Sequence, residues 1–344
     1  DYFNTVTYTG NGGTQSITGV GHQPDWTWIK VRDTTYAHYL FDAVRGATKQ
    51  IQTNNNNPET TSANQLTAFA SDGFNLSSDV VTNGNNDEFV AWNWKAGGGQ
   101  GSSNTAGSIN TTYTSVNTTA GFSISKYVGT GSAATVGHGL GAVPKMLMIK
   151  DLSASTDWTI YHFEVGNTKR LVLNTTGGQE DDASFFNDTT PTDQVFSIGS
   201  SSAVNLSGRN YVCYAFTDIV GYSKFGQLIS NGNDSGSFCY TGFAPKLVML
   251  KPKISDGWSH WYMFDTTIDH PQLNDRPLYA NLSTQAGYYG GSPATNYAQI
   301  DILSNGWKVR TGSGWGAGGS GTELIYMAFG QSLVGSNNVP CTAR

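Results

Sequence analysis

The chain has 344 residues, of which 38% are hydrophobic, 12% aromatic and only 13% charged, with a net charge of −6. At roughly 100–200 residues per domain this predicts two or three domains, and so many aromatic side chains exclude a disordered chain. No run of Lys or Arg exists to track a phosphate backbone, which excludes nucleic acid as a partner, and no apolar stretch of about 18 residues exists to span a membrane as a helix.

Taken in chain order, the predicted elements are almost all strands. Short runs of Val, Ile, Thr, Tyr, Phe and Trp alternate with Gly, Asn, Asp and Pro. The 42 glycines, about 12% against a usual value near 7%, supply the positive φ that tight turns need. The chain opens at Asp1 without a signal peptide and is read as processed or partial. A first strand ends in Tyr8-Thr9-Gly10-Asn11-Gly12. Pro24-Asp25-Trp26-Thr27-Trp28-Ile29-Lys30 leads a second, and Tyr39-Leu40-Phe41-Asp42 and Ile51-Gln52-Thr53-Asn54 follow. Asp72-Gly73-Phe74-Asn75-Leu76 and Phe89-Val90-Ala91-Trp92-Asn93-Trp94 come next. Residues 40–50 hold at most one short helical turn.

The same order then recurs. The proline-led run returns as Pro144-Lys145-Met146-Leu147-Met148-Ile149-Lys150 and again as Pro245-Lys246-Leu247-Val248-Met249-Leu250-Lys251. The aromatic landmark returns as Tyr211-Val212-Cys213-Tyr214-Ala215-Phe216 and Leu324-Ile325-Tyr326-Met327-Ala328-Phe329. Each unit is about 100–120 residues, too long for a solenoid repeat or propeller blade. The expected fold is therefore all-β, with three tandem antiparallel β-sandwiches of jelly-roll or lectin-like type, a barrel being the alternative. The expected boundaries are residues 1–100, 121–226 and 227–344, with a Gly/Ser/Thr-rich linker at 101–120. Residues 109–116 add a strand before the second unit. The lysine closing each proline-led run is expected to reach solvent where its strand leaves the core.

The residues offer little catalytic chemistry. Six His include no metal-ligand spacing, and His22 and His138 read as solvated or turn residues rather than ligands. Gly312-Ser313-Gly314 and Gly199-Ser200-Ser201 precede no helix, so neither reads as a nucleophile elbow. Glu180-Asp181-Asp182 and Asp87-Glu88 read as solvated loops rather than a glycosidase pair. A calcium ion among Glu180, Asp181, Asp182 and Asn187 lacks a supporting loop motif. Three cysteines, Cys213, Cys239 and Cys341, cannot all pair and define no disulfide framework. No cofactor, metal or enzymatic activity is expected. The third unit carries two Gly-rich aromatic inserts without counterparts in the others, around Tyr288, Tyr289 and Trp315. Rigid rings among Gly and Ser suit a recognition loop, and these three residues are the expected binding site.

Tyr8-Thr9-Gly10-Asn11-Gly12, the run from Pro24 to Lys30, Phe41-Asp42-Ala43-Val44-Arg45-Gly46-Ala47, Trp92-Asn93-Trp94-Lys95-Ala96-Gly97-Gly98 and Gly221-Tyr222-Ser223-Lys224-Phe225-Gly226 resemble an uncharacterised tandem β-repeat. That repeat occurs in virion proteins of marine tailed bacteriophages. The closing Val339-Pro340-Cys341-Thr342-Ala343-Arg344 resembles the C-terminus of such proteins. The resemblance implies a virion structural protein, a tail fibre or similar appendage that displays sandwiches for host attachment. It implies as partners other virion proteins, copies of itself in a trimer, and a host surface glycan or protein. A capsid decoration protein is the alternative, and a carbohydrate-binding or glycan-degrading module a second one.

Overall fold

The proline-led segments form the strands Trp26–Val31, Met146–Asp151 and Pro245–Pro252. Each lies inside a large antiparallel sheet of the computed structural model, which describes residues 2–272, 274–289, 292–293, 298–312, 316 and 318–330. The first sheet runs Phe3–Thr9, Glu88–Trp94, Trp26–Val31, Tyr39–Asp42, Lys49–Gln52 and Thr60–Thr61. The second runs Tyr113–Asn117, Phe122–Val128, Asn210–Phe216, Met146–Asp151, Thr159–His162, Lys169–Val172 and Glu180–Asp181. The third runs Ser223–Ile229, Glu323–Gly330, Pro245–Pro252, Tyr262–Asp265 and Leu278–Tyr279. From Phe3–Thr9, Phe122–Val128 and Ser223–Ile229 onward, five strands follow in the same order. The fold is all-β and antiparallel. The described helices, Val80–Asn83, Ala183–Phe186 and Ser202–Asn205, are single turns.

Each large sheet is backed by a small one. Gln15–Ile17, Gly73–Leu76 and Leu66–Ala70 back the first, Ala134–Gly137 and Val195–Ile198 the second, and Phe238–Tyr240, Gly306–Val309 and Ile300–Leu303 the third. Successive side chains of a strand point to opposite faces, and here both faces are covered. Ile29 and Val31 pack with Ile17, Phe74 and Leu76 in the sandwich of the first sheet. Leu147 and Ile149 pack with Val136, Phe196 and Ile198, and Val248 and Leu250 with Cys239 and Trp307. The alternate residues, Trp26 and Trp28, Met146 and Met148, Leu247 and Met249, belong to one further core common to all three large sheets. This is why the proline-led strands are apolar at nearly every position rather than alternating.

The shared core is aromatic. Trp94, Phe216 and Phe329 occupy matching places at the ends of their strands, opposite Trp26, Met146 and Leu247. Their rings converge, with Phe329 at 5.5 Å from Trp94 and 5.8 Å from Phe216. Trp26 stacks on Tyr214 at 4.7 Å. Burying one such side chain contributes roughly 1.5–3 kcal/mol, and ring pairs of this geometry add about 0.5–1.5 kcal/mol.

Backbone hydrogen bonds close the three sheets into a cycle. Glu59 N donates to Leu152 O at 3.2 Å, Gln179 N to Lys253 O at 2.8 Å, and Ala286 N to Arg32 O at 2.8 Å. Leu152, Lys253 and Arg32 each stand two residues beyond the repeated lysine. The bonds therefore run first sheet to second, second to third and third to first. Indoles span two of the same seams, Trp158 Nε1 donating to Gln52 O and Trp261 Nε1 to Val172 O, both at 2.8 Å. Residues 101–120 carry the strand Tyr113–Asn117, and Ile109 is buried beside Val136 in the second sandwich.

The lysine expectation is overturned. Lys30, Lys150 and Lys251 are completely buried, because the face that was expected to meet solvent meets a neighbouring part of the same chain. His22 and His138, expected as solvated or turn residues, are not solvated, with 4% and 0% exposure. His138 is a turn residue whose Nδ1 accepts from Leu140 N at 3.1 Å.

Candidate functional site

Of the three expected binding residues, Tyr288 is the one whose surroundings the structure describes. It opens a two-residue hairpin strand, Tyr288–Tyr289, paired with Ser292–Pro293. The side chain of Tyr289 and the whole of Trp315 lie outside the described residues. Gly287, with φ +70°, turns the chain into this hairpin. Tyr288 lines a cleft of about 210 Å³ with Thr284, Gln285 and Thr35. The first three come from the third unit, whereas Thr35 follows the proline-led strand of the first. The cleft thus lies at the seam held by the Ala286–Arg32 bond.

The lysines are bonded differently at this seam and at the other two. At the seam of the first and second sheets, Lys150 Nζ donates to Asn56 O across the boundary at 3.3 Å, besides its bond to Asp151 O at 2.8 Å. At the next seam Lys251 Nζ reaches Thr176 O at 3.4 Å, besides Ser259 O at 2.7 Å. Asn56 and Thr176 each stand three residues before the bonded Glu59 and Gln179. The matching residue at the third seam is Ser283, and Lys30 does not reach it. Lys30 Nζ donates instead to Val31 O at 2.7 Å, within its own unit. Burial pushes Lys30 and Lys251 down to about 7 and Lys150 down to about 8.

One polar atom of a lining residue is shut off from solvent. The hydroxyl of Thr284 is buried yet has no hydrogen-bond partner among the described residues. An unmet buried hydroxyl costs roughly 1–3 kcal/mol. Among the described residues the lining side chains carry no formal charge.

The other sequence candidates have structural roles. Glu180 pairs with Arg170 at 2.8 Å, and Asp182 accepts from Ser184 N at 2.8 Å to cap a helical turn. Gly199-Ser200-Ser201, expected to precede no helix, does precede one, the single turn Ser202–Asn205 that Ser201 caps. Ser313 and Gly314 lie outside the described residues. Among the described residues no cluster of His, Cys, Asp or Glu has the makings of a metal site. Cys213 and Cys239 are buried free thiols, and burial raises both, Cys239 to about 11.

The sequence missed two features. Phe238 and Tyr240 on the outer strand of the third small sheet are 45% and 65% exposed, and Trp258 is 43% exposed. These are the exposed aromatics among the described residues, and all three belong to the third unit. The register would have revealed the first two. Phe238 and Tyr240 flank the buried Cys239, where Thr135 and Gly137 flank Val136 and Ser16 and Thr18 flank Ile17. No signal marked Thr35 or Thr284.

A family model described as a domain of unknown function, DUF7483, matches residues 1–332. No curated protein matches the chain.

Proposed function

The chain belongs to the DUF7483 family, and from that premise we propose that it is a virion structural protein, an appendage body that presents the third unit for attachment to a host surface. On this reading the three units are copies of one sandwich closed into a ring. The observation that carries the proposal is the asymmetry laid on that ring. The shared core and the seam bonds engage all three units alike, whereas the exposed aromatics among the described residues fall on the third unit and the Tyr288 cleft at its seam with the first. A purely structural filler has no reason to expose large rings on a single unit, since exposed apolar clusters mark interaction sites. Low charge supports the same reading, because contacts made by neutral polar and aromatic groups are little affected by salt. The resemblance to tandem β-repeats of tailed-phage virion proteins supports it from the sequence.

The inward faces of the large sheets are covered within one chain, so self-association, including the proposed trimer, has to use the outer surfaces. The test is antibody labelling of purified virions of the encoding phage, viewed by electron microscopy. Label on the tail supports the appendage. Label on the head supports the decoration alternative, and unlabelled virions overturn both.

A further inference from the structure

We propose that Lys246 and Asn4 are a self-modification site, at which the two side chains condense into an isopeptide bond that ties the third unit covalently to the opening strand of the first. The inference stands apart from the attachment reading and holds whether or not the chain is borne on a virion. Three observations carry it.

The reacting groups are already in contact, 242 positions apart in the chain. Lys246 Nζ donates to Asn4 Oδ1 at 2.7 Å. With a carbonyl bond of about 1.23 Å, Asn4 Cγ lies within about 4 Å of that nitrogen, near the separation of reacting atoms poised for attack. The amide is held from its other end. Asn4 Nδ2 donates to Gly19 O at 3.1 Å and to Val20 O at 3.2 Å, which turns the carbonyl toward the lysine.

The backbone singles out Lys246. In the strand Pro245–Pro252, Pro245 pairs with Gly330 and Leu247 with Phe329, so the register shifts at Lys246. Such a bulge leaves one residue out of the ladder and re-aims its side chain. The amine is also desolvated. Burial lowers Lys246, against the opposing charge of Asp265, and so enlarges the share of neutral amine.

The place in the ring is the third observation. The polypeptide itself joins the first unit to the second and the second to the third, whereas no peptide joins the third to the first. The contact lies at that seam. By register the counterparts of Asn4 are Ser123 and Lys224, and after the repeated proline the counterparts of Lys246 are Asp25 and Lys145. Neither of the other seams therefore sets a lysine against a side-chain amide at this place. Lys145 lies over the Phe163 ring and Lys224 pairs with Asp218.

The step balances without a co-reactant. The neutral amine adds through its lone pair to Asn4 Cγ. The Nζ–Cγ bond forms, the Cγ–Nδ2 bond breaks, a proton passes from Nζ to Nδ2, and ammonia leaves. One amide is exchanged for another, and the loss of ammonia to solvent makes the exchange one-way.

The experiment is mass spectrometry of the whole chain, intact and after trypsin, following incubation at about pH 9 to favour the neutral amine. The intact mass should fall short of the sequence by one ammonia, and trypsin should release a branched fragment that joins the peptides of Asn4 and Lys246. Lys246→Arg keeps the charge and should restore the full mass. A wild-type digest without the branched fragment overturns the inference even if ammonia is lost, because Asn-Gly pairs such as Asn11-Gly12 lose ammonia by closing on their own backbone. An ammonia deficit undiminished in Lys246→Arg overturns it as well. Should that variant not fold, the wild-type digest alone decides.

Discussion

The phenol of Tyr214 donates to the carboxylate of Asp42 at 2.7 Å, joining two wholly buried side chains 172 positions apart. Asp42 closes the strand Tyr39–Asp42 of the first sheet, and its counterparts by register are His162 and Asp265. Each reaches into the next unit. His162 Nε2 contacts Tyr326 O at 3.3 Å, and Asp265 accepts from Trp92 Nε1 at 3.0 Å. Asp42 also accepts from Arg45, whose buried guanidinium contacts Glu59 at 3.3 Å. Tyr214→Phe should cost about 1 kcal/mol, since Asp42 keeps its arginine. Asp42→Ala should cost about 3–5 kcal/mol, because it strips the main partner from a buried cation. Urea denaturation checks the order. Equal costs would show that the seam bond, not the ion pair, dominates.

Unfolding should be one transition despite the length of the chain. The large sheets share a core, so no unit can open without exposing the others' aromatic faces. Trp26→Ala should lower stability by about 3–5 kcal/mol and shift the whole transition. Calorimetry gives the answer through the ratio of calorimetric to van't Hoff enthalpy. Separate transitions would mean that the three sandwiches are energetically independent.

Alkaline conditions should stabilise the fold before they harm it. Lys30, Lys150 and Lys251 titrate near 7 to 8 when folded and near 10.4 when unfolded. Between these values the unfolded state holds more protons, so stability rises with pH. Below pH 7 the ammonium groups are charged in both states and their burial penalty stands in full. Above pH 10 the sign reverses, because burial raises Tyr8, Tyr127, Tyr214 and Tyr222, which stay protonated only in the fold. Urea midpoints should increase from pH 7 to about pH 9.5, and Lys30→Met should flatten part of that slope. A midpoint falling steadily over this interval would refute the account.

Histidines set the acid limb. Burial lowers His162 to about 3 and His22 and His260 to about 4. Unfolded histidines protonate near 6.5, so between pH 6.5 and 4 the unfolded state again binds more protons and stability falls with acidity. His22→Gln should reduce the loss by about 1 kcal/mol or more at pH 4.5, measured as the difference in urea midpoint between pH 7 and 4.5. An unchanged difference would exclude His22 from the effect.

Glycine substitutions should separate backbone strain from crowding. Gly21, at φ +82°, has open space around an added Cβ, so Gly21→Ala should cost roughly 1–2 kcal/mol from conformation alone. Gly73, at φ +154°, would place a Cβ 1.9 Å from Ile17 O. Gly73→Ala must push two strands apart and should lower the melting temperature several degrees more than Gly21→Ala. Equal shifts would argue that the Gly73 turn yields freely.

The strands and the all-β antiparallel class were legible because they rest on local signals. Pro before an apolar run, Asn-Gly and Asp-Gly turns and period-two alternation act within a few residues. What covers the second face of a strand is decided by residues a hundred or more positions away. The apolar runs around Trp26, Met146 and Leu247 carried the clue, since strands buried on one side alternate and these do not. Lys30, Lys150 and Lys251 misled for the same reason, as a lysine ending a strand of an isolated sandwich does reach water. Tyr288 was singled out in the sequence by comparing the units. Thr35 and Thr284 were not, because a threonine in a Thr-rich chain stands out only through the cleft that folding makes around it.

If the three units are copies of one sandwich, as proposed, the cycle of bonds from Glu59 to Leu152, Gln179 to Lys253 and Ala286 to Arg32 fixes how many of them the body can hold. Repeats stacked in a line have free ends, and a further repeat simply lengthens the array. A ring closed at three has no end to extend. An added fourth unit would find both partners of every seam already taken, and a chain lacking one unit would leave two apolar sheet faces without a neighbour. Gene duplication could therefore multiply whole bodies but not enlarge one, and variety within such proteins has to enter through the loops between strands.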